Sequence, residues 1–118
     1  MGLTILSLEI ANPTEPARHE MLEFLVDSGA FHSIAPASLL QRLGIPVMGE
    51  QQFQMADGRK IRRKIGTAQF RYQERVGGAT VIFGEEGDSQ LLGASTLESM
   101  GLGLDPLRRE LHTLPLVI

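Results

Sequence analysis

The sequence predicts an all-β fold with two short helices, on three observations. Thirteen glycines and six prolines break the chain into apolar runs of strand length. Asp57-Gly58 stands between two such runs, a strong hairpin signal. Helix-like spacing and termini occur over 36–43 and 95–100. At 118 residues the chain is sized for one domain over 1–118, with a modest core and little room for a second lobe.

Thr4 to Ile10 alternates apolar and polar residues and reads as a first strand. Asn12-Pro13-Thr14-Glu15-Pro16 is a turn or short loop, and Met21 to Val26 is a second strand, antiparallel to the first and ending at Asp27. Pro36 to Leu43 is a short helix. Pro36 suits its first turn, Leu39, Leu40 and Leu43 share a face, and Gly44 suits the left-handed position that follows. Ile45-Pro46-Val47 leaves in an extended form. Phe53 to Met55 and Lys60 to Ile65 flank the Ala56-Asp57-Gly58 turn. Ala68 to Tyr72 and Ala79 to Phe83 flank Gly77-Gly78, which reads as a second hairpin turn.

Glu85 to Ser89 is a polar loop. Gln90-Leu91-Leu92-Gly93 is a short buried run that leads into a helix over Ser95 to Met100. Ser95 and Glu98 there have capping-box spacing, and Gly101 suits the C-terminal end. Leu114 to Ile118 is an apolar tail expected to pair in a sheet, because an exposed one invites aggregation. Leu39, Leu40, Leu43, Leu97 and Met100 are assigned to the core. The two halves echo each other. Leu25-Val26 precedes Asp27-Ser28-Gly29 and a helix ending in Leu43-Gly44-Ile45, and Leu91-Leu92-Gly93 precedes a helix ending in Met100-Gly101-Leu102.

Composition excludes several classes of function. A net charge of −3, no tryptophan and a single tyrosine argue against a nucleic-acid partner. The absence of cysteine removes disulfides, thiolate nucleophiles and cysteine metal sites. No stretch is apolar enough to span a membrane, and no basic segment precedes an apolar one at the amino terminus. No membrane partner and a cytoplasmic location are therefore expected. His19 and His112 lack metal-ligand spacing, and no cofactor, metal or organic, is expected. Ser28 and Ser33 have no Gly-x-Ser-x-Gly frame. His32 reads as structural. The basic run Arg59 to Lys64 reads as a solvated strand that discourages edge pairing rather than a nucleic-acid patch.

Leu25-Val26-Asp27-Ser28-Gly29-Ala30 carries the functional signal: two apolar residues run straight into an acid, a hydroxyl and a glycine. Carboxylates are rarely buried unless paired. Asp27 is therefore either a turn former accepting backbone hydrogen bonds or a general acid/base delivered to a cleft. The tripeptide leaves both readings open. Asp27 to Ile34 resembles the active-site loop of the retropepsins, the single-lobed aspartic proteases, particularly their retrotransposon and bacterial members. Leu91-Leu92-Gly93 before a helix resembles the family's second hallmark, an apolar pair and a glycine that pass beneath that loop. Ala56-Asp57-Gly58 falls where the family carries its flap.

The resemblance covers nearly the whole chain and implies a retropepsin-like acid protease fold with Asp27 catalytic, Ser28, Gly29 and Ala30 in the active-site loop, and Ala56, Asp57 and Gly58 on the substrate. Leu91, Leu92 and Gly93 would support the loop. It also implies apolar pocket walls from Ala30, Ile34 and Val81. The charged flap tip, with Arg59 after Gly58, departs from glycine-rich family flaps and bears on substrate preference. Of the other aspartates, Asp57, Asp88 and Asp105, none lies in a second apolar-Asp-Ser/Thr-Gly context. Two-carboxylate chemistry thus calls for a homodimer acting on a peptide or protein substrate. The rival expectation is a dimeric module that binds a peptide or protein without cutting it.

Overall fold

The computed structural model describes residues 4–27, 29–105 and 107–115. Its elements run β1 (Thr4–Asn12), β2 (Glu15–Val26), β3 (Ser33–Pro36), α1 (Ala37–Arg42), β4 (Gly49–Gln54), β5 (Lys60–Tyr72), β6 (Arg75–Gly84), β7 (Leu91–Leu92), α2 (Ala94–Ser99), β8 (Leu102–Asp105) and β9 (Glu110–Thr113). The predicted class is therefore observed: strands dominate and both helices are one to two turns long. Neither helix is long and apolar enough to cross a membrane, and the described residues hold no other.

Seven strands form one sheet in the order β1-β2-β7-β3-β6-β5-β4, and β1 also pairs with β5. That extra contact closes β1, β2, β7, β3, β6 and β5 into a ring from which β4 projects, so six strands have partners on both sides. The alternating faces of these strands fill the ring with Leu8, Ile10, Phe24, Val26, Phe70, Val81 and Leu92, all buried. Phe24 and Phe70 meet edge-on with centroids 6.2 Å apart. Leu39, Leu40 and Leu43, with Leu97 and Met100, close the core as predicted. Gly44 and Gly101 take positive φ after the two helices, also as predicted. The echo between the halves has a physical counterpart: Leu25 and Val26 lie in parallel register beside Leu91 and Leu92.

Several boundaries differ from the sequence reading. The first two strands reach Asn12 and start at Glu15, leaving only Pro13-Thr14 as the turn. Asn12 makes this possible: its Oδ1 accepts from the Thr14 N–H and hydroxyl at 2.9 and 3.0 Å, and its Nδ2 donates to the Leu43 carbonyl at 2.9 Å. A register slip between Ala11 and Asn12 accommodates Pro16 within the strand. Gly77-Gly78 is no turn. It lies inside β6, opposite Phe70 and Gln69, and the hairpin turns instead at Gln73-Glu74. Glycine is needed there because α2 presses on the strand, and a Cβ at Gly77 would come within 2.6 Å of the Ser99 carbonyl oxygen.

Pro36 ends β3 and caps α1 from outside rather than sitting in its first turn. Ser95 and Glu98 form no capping box, since α2 starts at Ala94 without a side-chain cap. In the carboxy-terminal tail, Leu114 donates its N–H to the Gly101 carbonyl at 2.8 Å, and 116–118 lie outside the described residues.

Charge pairs tie the basic run down. Arg62 bonds Glu50 across the β4–β5 pair, and Arg59 bonds Asp57. Arg63 grips Asp88 with two bonds, Nε to Oδ2 at 2.8 Å and an Nη to Oδ1 at 3.1 Å. Asp88 also accepts the Glu85 N–H at 2.7 Å, so one carboxylate fixes the 85–89 loop to β5. The Arg63 hydrogen bond, against the opposing effect of burial, holds Asp88 below the ordinary carboxylate pKa. A lowered folded pKa means that this clamp stabilises the fold above about pH 4 and is lost as pH falls through the lower native value. Asp88→Asn should lower unfolding free energy at pH 7 by about 1–3 kcal/mol, and by much less at pH 2.5, in paired urea melts.

Candidate active site

Asp27 follows the last residue of β2, and its backbone is fixed before its side chain is considered. Its N–H donates to the Leu92 carbonyl at 3.3 Å, continuing the β2–β7 pairing, and its own carbonyl accepts from Ala30 at 3.1 Å. The side-chain Oδ1 accepts from the Gly29 N–H at 2.9 Å. The carboxylate is thereby turned back over a tight loop and stays partly accessible. Asp27 thus shapes the turn, as one reading of the motif has it, and its side chain also borders the cleft. Ser28 lies outside the described residues.

Gly93 lies directly beneath this loop. A Cβ there would come within 2.5 Å of both the Phe31 and His32 carbonyl oxygens, so only glycine permits the approach. The start of α2 then holds the loop from below. Ala94 donates to the Ala30 carbonyl at 2.8 Å, and Ser95 donates to the Phe31 carbonyl through both its N–H (3.0 Å) and its hydroxyl (2.8 Å). This use of the Ser95 hydroxyl is the physical reason that it caps no helix. Deeper still, the fully buried hydroxyls of Ser33 and Thr96 share a 2.5 Å hydrogen bond, and Ser33 Oγ accepts the Gly93 N–H at 3.0 Å. Sequence reasoning missed both hydroxyls as site residues. Their only signal was position, Ser33 heading the apolar Ile34-Ala35 and Thr96 preceding the core residue Leu97.

Above the loop is a cleft of about 540 Å³ lined by Asp27, Gly29 and Ala30 with Phe31, His32 and Ile34 from the loop and β3. Phe53, Gln54, Met55 and Ala56 line it from β4 and the hairpin tip, and Ile61, Ile82 and Leu91 complete it. Asp57 and Gly58 are exposed and are not among the lining residues. Asp57 instead accepts the Arg59 N–H at 2.9 Å and its guanidinium at 2.8 Å, bonds that draw its pKa down. Val81 faces the core and its neighbour Ile82 faces the cleft, the one-residue alternation of a strand. His32, read as structural from sequence, is a cleft residue, with its ring edge-on to Phe31 and Phe53 at 5.0 and 5.3 Å. Leu91 reaches the cleft, while Leu92 and Gly93 stay below it. Among the described residues no cluster of three or more His, Asp or Glu is placed to hold a metal ion.

Residues 17–99 match the model of the family described as gag-polyprotein putative aspartyl protease. Among solved structures, the chain is similar to the simian foamy virus (mac) protease, with a TM-score of 0.52 and 20% identity over 79% of this chain and 92% of that one. It is also similar to a retropepsin-like aspartic protease from Rickettsia conorii, with a TM-score of 0.51 and 18% identity over 89% of each. These likenesses establish the retropepsin-like fold. No curated protein sequence matches the chain.

The hydroxyl pair supports a specific expectation. Ser33→Ala and Thr96→Val should each cost about 1–3 kcal/mol in denaturant unfolding, because each leaves a buried group unpartnered. The double variant should cost clearly less than the sum.

Proposed function

The chain belongs to the gag-polyprotein putative aspartyl protease family, and on that premise we propose that it is an aspartic endopeptidase assembled from two copies. The observation that carries this reading is the single Asp27, held by Leu92 and Gly29 at the floor of the cleft beneath the β4–β5 hairpin. One protomer offers one such carboxylate. A two-fold axis beside the loop brings the same residue of a second copy to face it.

Two carboxylates facing each other across that axis share one proton, since both cannot ionise together. The ionised member takes a proton from the water between them. The protonated member donates a hydrogen bond to the scissile carbonyl, and the water oxygen adds to its carbon. Collapse of the tetrahedral intermediate expels the amine, which takes a proton from the pair. The peptide lies extended between the loop near Gly29 and the Ala56-Asp57-Gly58 hairpin, making strand-like backbone bonds. The exposed edge strand β4 and the apolar lining suit such a ligand.

The test is cleavage of a mixed peptide library by the chain and by Asp27→Asn, with mass-spectrometric readout. Cleavage should fall by at least about 10²-fold in the variant. Equal cleavage by both, or none by either, would overturn the proposal. Mixing the two proteins in equal amounts separates the paired site from a lone one. With free exchange, only about one quarter of dimers keep two Asp27 carboxylates, and activity per wild-type chain should fall by about half.

A further inference from the structure

We infer that His32 selects an acidic side chain in the bound peptide; this inference rests on the peptide-binding reading of the cleft and deepens it. Among the described residues lining the cleft, only Asp27 and His32 are ionisable, and the remainder are apolar apart from Gln54 and the glycine. Among the described residues, no charged group lines the cleft from the elements packed around His32. The β4 strand and hairpin tip contribute Phe53, Gln54, Met55 and Ala56, and β5, β6 and β7 contribute Ile61, Ile82 and Leu91. A peptide carboxylate entering such a cleft would lose its water and meet the like charge of Asp27. It is accepted only beside a positive partner, and among the described lining residues the His32 imidazole is the side chain that can carry a positive charge.

The imidazole is also prepared for this role. Its backbone is held over Gly93, where there is no room for a Cβ, and the preceding carbonyl is held by Ser95. Its ring makes edge-on contacts with the rings of both Phe31 and Phe53. Little freedom remains to be lost when a ligand binds, which favours a strong charge-assisted bond. Phe53 belongs to β4, so the hairpin strand and the loop both contribute to the position of one ring.

Binding is measured in Asp27→Asn, which removes the carboxylate of the proposed cleavage step and its charge. The probes are fluorescein-labelled apolar octapeptides with Glu or Gln at one position, scanned through the central six residues and read by anisotropy. At one position the Glu peptide should gain at least about tenfold over its Gln twin between pH 8 and pH 5.5, a range in which Glu stays ionised. Adding His32→Gln should flatten that ratio without weakening the Gln peptide. A ratio that does not change with pH at any position, a change that survives His32→Gln, or no binding of any probe would overturn the inference. A second readout needs no change at His32: its imidazole NMR resonances should move toward the imidazolium form with the Glu peptide at pH 7 and stay in place with the Gln peptide. Failure of the unaltered chain to cut peptides bears on the protease proposal alone, because this experiment reads binding.

Discussion

The hydrogen-bonded pair of Ser33 and Thr96 is the constraint on which the site depends. Both hydroxyls are fully buried, and they join β3 to α2 across 63 residues of sequence. Ser33 Oγ also accepts from Gly93, which fixes the end of β7 against the start of β3. With these three points held, α2 can begin where its first N–H groups meet the carbonyls of Ala30 and Phe31. The loop that carries Asp27 is therefore supported by a polar floor inside an apolar core. Such networks are costly when incomplete and rigid when complete. Among the described residues no buried side-chain polar atom lacks a partner, and this network is complete.

The cleft follows from the same arrangement. The loop fixes Asp27 below, and β5 runs long enough to serve two roles. Its first half pairs with β4 to raise the hairpin, and its second half pairs with β6 and β1 to close the ring. The Arg63–Asp88 clamp pins the 85–89 loop to the first half, so the hairpin strand is anchored near its base. Rigid floor and projecting hairpin give a groove whose walls are strand edges and which Asp27 enters at its floor.

Much of this was legible because it rests on local chemistry. Asp57-Gly58 marked the hairpin, the leucines of 39–43 marked the inner face of α1, and Gly44 and Gly101 marked helix ends. The motif around Asp27 and the apolar pair before Gly93 located the loop and its support. What failed depended on contacts from elsewhere in the chain. Gly77-Gly78 has turn composition, yet the small size of Gly77 serves the approach of Ser99. Ser95 has a cap's spacing, yet its hydroxyl is taken by Phe31. Val81 and Ile82 differ only in strand phase, which a short apolar run does not reveal. Ser33 and Thr96 look like any surface hydroxyls until the two halves are placed together.

The pairing of β2 with β7 also bears on when the Asp27 loop can take its shape in the life of the chain. The β1–β2, β4–β5 and β5–β6 hairpins close locally, whereas the Asp27 loop needs partners some 60 residues away at Gly93 and beyond. Contacts of that span bear the larger loop-closure entropy and dominate the contact order. A nascent or partly folded chain can therefore hold its hairpins without holding the Asp27 loop in shape. Topology ties the shape of the Asp27 loop to completion of the ring, and an unfinished molecule lacks the floor of its cleft.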